Sequence, residues 1–238
     1  MQLEHYYSEE NGLIQFSRVQ ASRFAKVEAG DYNPIHNPDA KRFCVPGDLL
    51  FACALHKFGL SRNMRFRFSG MVGSSIGLDF SDTSNASHIA IRDTQGKEYL
   101  SIERDGERST DSTLITAVNR ECVAFSGHTF PHMLIPLLAK ENVIVNPARP
   151  LIIYESMHIE FDTLDIADVS VKRTDNQLQV DGKRGKATLG FEFESKGKTV
   201  GRGNKVMLLS GLRPYDEALV ELLITLFEEK RLAAEASH

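Results

Sequence analysis

Residues 30–39 read GDYNPIHNPD and place a carboxylate, Asp31, and an imidazole, His36, five positions apart on either side of Pro34. A carboxylate and an imidazole held over one water molecule can share the removal and delivery of protons, which is general acid-base chemistry. Pro34 bends the segment, so the two side chains can converge as they could not along an extended strand. Asn33 is suited to fixing the turn by local hydrogen bonding without touching a substrate. An alternative stays open, in which Asp31 and Asn33 cap turns, His36 bonds to backbone, and no reaction takes place.

Such a loop needs rigid elements around it. Before it, Val19, Ala21, Phe24, Ala25 and Val27 roughly follow one helical face across residues 17–29, and Gly30 and Pro34 stop that helix. After it, Pro46-Gly47-Asp48 opens the apolar run LLFACALHKFGL, which predicts a buried helix. Phe66, Phe68, Ile76, Leu78 and Phe80, then HIAIRD and EYLSIERDG, alternate with period two and predict antiparallel strands. The second half repeats this order: a helical stretch over 114–125, a Gly and Pro break, the apolar helix MLIPLLAK, and long alternating strands with turns such as Asp181-Gly182. VPGDLLFA (45–52) and FPHMLIPL (130–137) align without gaps, and a repeat this long fits a duplicated domain. Residues 213–238 form an amphipathic helix outside the repeat, with Leu219, Leu222, Leu223, Leu226 and Phe227 on one face. It is expected to pack on its own sheet, ahead of a dimer contact or membrane adhesion.

Bulk properties exclude several classes. A formal net charge of -4 across 238 residues, without a basic block, argues against nucleic acid or anionic lipid as partner. No stretch approaches bilayer-spanning length and the N-terminus lacks a signal peptide's basic-then-apolar pattern, so a cytoplasmic protein is expected. Cys44, Cys53 and Cys122 show no CxxC spacing and read as buried free thiols; His56, three residues after Cys53, reads as a core or interface residue. His128 and His132 have Pro131 between them and no acid or cysteine nearby at ligand spacing, so no metal site is predicted. The glycines in 200–204, VGRGN, precede a strand and form a turn or bulge, not a phosphate cradle.

The sequence Gly30-Asp31-Tyr32-Asn33-Pro34-Ile35-His36, followed by Pro-Gly and an apolar helix, resembles the signature of the MaoC-like (R)-specific enoyl-CoA hydratases, across roughly residues 16–60. The resemblance implies an α+β double hotdog: two fused units, 1–110 and 111–212, each a long helix wrapped by a curled antiparallel sheet, with a C-terminal helix at 213–238. Together they would form one pseudo-dimer, with a homodimer also possible. It implies hydration of a trans-2-enoyl thioester on CoA or an acyl carrier protein, with no cofactor. Asp31 and His36 would be the acid-base pair, Gly47 the backbone donor to the enolate oxygen, and Asn33 and Pro34 the loop supports. The positions gaplessly equivalent to Asp31, His36 and Gly47 in the second half are Thr116, Glu121 and His132, so only the first half would be catalytic.

The chain departs from that pattern twice. Asp48 stands where the family has an apolar residue, and is expected to be a first-turn acid facing solvent. Residues 68–72 read FSGMV where the family shows a proline and then Gly-Asp, which leaves the shape of the pocket open. Hotdog proteins also include thioesterases and non-catalytic acyl-thioester binders, and both stay as alternatives.

Overall fold

Strict alternation along the second-half strands sets the inner face of a large sheet. In the residues 184–195, every second side chain from Gly185 to Ser195 is buried, which puts Ala187, Leu189, Phe191 and Phe193 inside. The structure is a computed structural model and describes residues 1–81, 86–127, 129–146 and 151–235. In chain order the elements are β1 (Ser8–Glu10), β2 (Leu13–Gln15), α1 (Arg18–Arg23), α2 (Gly47–Phe58), β3 (Leu60–Phe68), β4 (Leu78–Asp79), β5 (His88–Asp93) and β6 (Glu98–Ser109). Then follow α3 (Ser112–Gly127), α4 (Leu134–Lys140), β7 (Val143–Ile144), β8 (Leu151–Phe161), β9 (Ser170–Asp181), β10 (Arg184–Ser195), β11 (Lys198–Ser210), β12 (Arg213–Pro214) and α5 (Glu217–Glu235).

The architecture is α+β. One antiparallel sheet runs β1-β2-β4-β5-β6-β3-β8-β11-β10-β9, and β12 pairs separately with β7. Its two halves mirror each other: β4-β5-β6-β3 on one side and β9-β10-β11-β8 on the other, each with its first long strand at the centre. There β3 and β8 pair directly, from Asn63 opposite Glu160 to Arg67 opposite Ser156.

Helix α2 fills the first half. Leu49, Phe51, Ala52, Leu55 and Phe58 are fully buried, and the Phe51 ring meets Phe66 of β3 edge-on at 4.7 Å. Gly59, at φ +77°, ends the helix where a Cβ would lie 2.8 Å from the Ser109 carbonyl. Arg104 from β6 is buried and donates to the Phe58 carbonyl at 2.8 Å, satisfying one of the helix's last orphan acceptors. In the second half α3 packs on α2, where the Asn119 amide donates to the Ala52 carbonyl at 3.3 Å, and Phe125 meets Phe191 at 4.8 Å.

Four expectations change. The first predicted helix extends over 18–28, α1 with its Ser17–Gln20 capping box passing directly into a π turn over Phe24–Glu28, but its predicted apolar face is not all buried, since Val19 and Val27 are exposed. The gapless correspondence between halves fails, because Thr116 and Glu121 lie within α3 whereas Asp31 lies in a loop; Glu121 accepts from the Val171 N–H. Helix α5 reaches the sheet only through Leu223, which packs with Leu178 of β9, Ala187 of β10 and Leu209 of β11, and otherwise turns to α4 and β7. Val220, with Leu219, Leu223 and Ile224, packs on Ile135 of α4 and Ile144 of β7, while Leu222 and Leu226 stay largely exposed. His56 is half-exposed beside Glu4 rather than a core residue.

Candidate functional site

The loop between α1 and α2 is built by its own polar side chains. Gly30 takes φ +64° to leave the helical stretch, and the Asp31 N–H turns back to the Ala25 carbonyl at 2.7 Å. Asp31 Oδ1 accepts from the Asn33 N–H at 2.8 Å, and Asn33 Oδ1 accepts from the Ile35 N–H at 3.2 Å, two successive Asx turns. Pro34 then opens a single 3-10 turn, Pro34–His36. Asn33 and Pro34 thus shape the loop.

These turns bring Asp31 and His36 together. Asp31 Oδ2 faces His36 Nε2 at 3.5 Å, and His36 is buried. His36 Nδ1 lies 2.7 Å from the Cys44 carbonyl, which accepts its hydrogen and leaves Nε2 turned to Asp31. Burial pushes the His36 imidazole down, but the hydrogen bond and charge of Asp31 outweigh it and raise its pKa above the ordinary histidine value. Burial pushes the Asp31 carboxyl up, and His36, with Lys205 further off, more than reverses that and holds it below the usual carboxylate range.

Both residues line a cavity of about 400 Å³ together with Gly47, Tyr154 and Lys205. Gly47 is the first residue of α2, so its N–H has no acceptor within the helix and carries the positive end of the helix dipole. A Cβ there would lie 2.7 Å from Tyr154 Cδ1, so the glycine allows the aromatic ring to lie against the helix start. Cys44 lies at the rim, where burial raises its thiol to about 11; Cys53 and Cys122 are buried with thiols pushed up by burial, which leaves none as a thiolate nucleophile.

Asp48 does not face solvent. It is buried, accepts from Ser126 Oγ at 2.7 Å and stands 3.4 Å from the Lys205 ammonium, which itself donates to Ser126 Oγ at 2.6 Å. Lys205 also lies 3.8 Å above the Tyr154 ring. Burial leaves the Asp48 carboxyl above its ordinary value although Lys205 and Ser126 pull it down. The expectation failed because α3 and β11 both cover the first turn of α2. Lys205, Ser126 and Tyr154 were not singled out from sequence. A signal existed for Lys205, which has the same strand parity as the inward-facing Met207 and Leu209.

A second, mostly apolar cavity of about 170 Å³ lies on the other side of Asp31, between α4, β8 and α5. Asp31, Asn33, Ile152, Lys205 and Met207 line both. Among the described residues no three His, Cys, Asp or Glu side chains gather as metal ligands, and no helix is long and apolar enough to cross a membrane. His128 lies outside the described residues, so its pairing with His132 is not seen.

Among solved structures, the chain is similar to the acyl-CoA thioesterase II TesB2 of Mycobacterium marinum, at 9% identity and TM-score 0.43, over 91% of this chain and 99% of that one. A second is the tesB protein of Mycobacterium avium subsp. paratuberculosis, at 11% identity and TM-score 0.43, over 71% and 89%. A third is a conserved protein of unknown function with a hot dog fold from Alicyclobacillus acidocaldarius, at 10% identity and TM-score 0.44, over 90% and 99%. No curated protein sequence matches. The expected hydratase, a lyase, is corrected here. The similar structures that carry an activity in their names are thioesterases, which are hydrolases. A model of one family matches residues 1–218, and the chain belongs to it: the family described as protein of unknown function DUF3581.

Proposed function

We propose that the chain is a thioester hydrolase built as two fused hotdog units, residues 1–110 and 111–212, with α5 (Glu217–Glu235) as an appended helix, and that Asp31 and His36 activate water in the first unit. One observation carries this reading: a buried imidazole, paired with a partly exposed carboxylate, lines the same cavity as the N-terminus of α2. Neutral His36, with its Nδ1 hydrogen held by the Cys44 carbonyl, takes a proton from water at Nε2 as the water oxygen bonds to the thioester carbon. Asp31 stabilises the resulting imidazolium. The Gly47 N–H receives the carbonyl oxygen as it becomes an oxyanion. Collapse breaks the C–S bond, and His36 returns its proton to the sulfur, leaving a carboxylic acid and a free thiol. The substrate is an acyl group on CoA or on a carrier protein's pantetheine, and no cofactor is required.

A non-catalytic acyl-thioester binder is the second reading, favoured by the closed Asp48–Ser126–Lys205 cluster, which keeps the nearby ammonium paired. Thiol release from acyl-CoAs, compared between the native chain and the Asp31→Asn and His36→Ala variants, separates the two. Release that falls at least a hundredfold in both variants supports hydrolysis. Saturable acyl-CoA binding without release by the native chain overturns it in favour of the binder.

A further inference from the structure

Helix α5 lies outside both halves of the sheet, yet it closes the cavity that reaches Asp31. Leu223, Leu226 and Phe227 of α5 form one wall, opposite Tyr32 of the Asp31 loop and Phe130 and Leu134 at the start of α4. The walls are held by aromatic contacts: Phe227 meets Tyr32 edge-on at 5.4 Å and Phe130 at 5.6 Å. The element that carries the candidate acid and the element appended to the fold are therefore in direct contact.

The two cavities differ in what they can hold. The larger one holds Asp31, His36 and Gly47 and opens past Ser69, Met71 and Ile153, with Met71 and Ile153 exposed. It has room for a thioester and the polar arm that delivers it. The smaller one is walled mainly by hydrocarbon, and a straight alkyl chain sheds unfavourable hydration with each methylene placed there. Asp31 and Lys205 line both, so the two cavities adjoin across these side chains, beside His36.

We infer that the alkyl chain of the acyl group lies in the cavity under α5, and that Phe227 and Leu223 set which chain lengths are accepted. This rests on the acyl-thioester reading of the site but not on hydrolysis. Removing the Phe227 ring lengthens the pocket; a larger side chain at 223 shortens it.

The experiment compares butyryl-, octanoyl- and palmitoyl-CoA with the native chain and with Phe227→Ala and Leu223→Phe, reading thiol release and, separately, equilibrium binding of the matching S-alkyl-CoA thioethers, which cannot be hydrolysed. The expected result is a palmitoyl-to-butyryl preference that rises roughly tenfold or more in Phe227→Ala and falls in Leu223→Phe. If no acyl-CoA releases thiol but thioether affinities shift in these directions, the inference stands and hydrolysis falls. Preferences within twofold of native in Leu223→Phe, with its thermal midpoint retained, overturn the inference, as do chain-length-independent affinities in the native protein.

Discussion

Asp48 and Lys205 face each other at 3.4 Å with almost no solvent contact, although one opens α2 in the first half of the chain and the other lies in β11 in the second. Ser126 at the end of α3 closes the triangle between them. Each ionised group satisfies the other, and the cluster joins three elements that meet around the candidate site.

Removing one member should therefore cost more than removing both. Lys205→Met leaves a buried carboxylate without its cation and should destabilise the fold by about 3–5 kcal/mol, while Lys205→Met with Asp48→Leu recovers most of that loss. Urea denaturation checks it. Because burial already places the Asp48 carboxyl above its ordinary value, and loss of Lys205 raises it further, its contribution is unfavourable above the unfolded value of about 3.8 and grows until pH passes the folded value. The single variant should thus approach native stability at pH 5 and fall furthest behind at pH 8.

The activity of the proposed site should rise with pH. His36 must be neutral to accept a proton, and Asp31 raises its pKa, so the rising limb of thiol release should lie above the ordinary histidine value. In Asp31→Asn the limb should move toward acid while the plateau falls at least a hundredfold. A limb that stays in place in Asp31→Asn would remove His36 as the base.

The same pair predicts a pH window in stability. The raised His36 pKa gives a contribution complete below about 6.5 that is lost as pH rises through the folded value; the lowered Asp31 pKa gives one complete above about 3.8 that is lost as pH falls through the folded value. Native protein should therefore exceed His36→Gln most between these two values, read as urea midpoints at pH 5 and pH 8.

Gly47→Ala should separate packing from chemistry. Its Cβ meets the Tyr154 ring, so the single variant should lose about 1–3 kcal/mol from overpacking together with its activity. Tyr154→Leu in the same chain should return the stability, measured by thermal melting. Gly127→Ala should be worse, because its Cβ collides with the Ala29 carbonyl oxygen directly behind the Asp31 loop.

The loop was the most legible part of the site because its geometry is local. Asx turns from Asp31 and Asn33 and the fixed φ of Pro34 are written in neighbouring residues, and they bring Asp31 and His36 together as the spacing predicts. Asp48 was read as solvent-facing because first-turn acids usually are, and nothing near it in sequence announces a lysine 157 positions away. Strand alternation gave the antiparallel sheet, whereas the register between halves was not legible, since α3 lengthens the second half before its strands begin. The expected packing of α5 on the sheet holds for Leu223, whereas its contacts with α4 and β7 were not legible, because an apolar face reads the same whether it covers a sheet or another helix.

The central pairing of β3 with β8 bears on how this molecule can move. The halves are joined by a ladder of backbone hydrogen bonds from Asn63 opposite Glu160 to Arg67 opposite Ser156, not by a loose linker. Swinging one half away from the other would break that ladder and uncover Phe66 and Met157 beside it, both fully buried. Separating the halves is thus costly, and the β3–β8 ladder makes the centre of the sheet a rigid frame around which the loops and α5 are arranged.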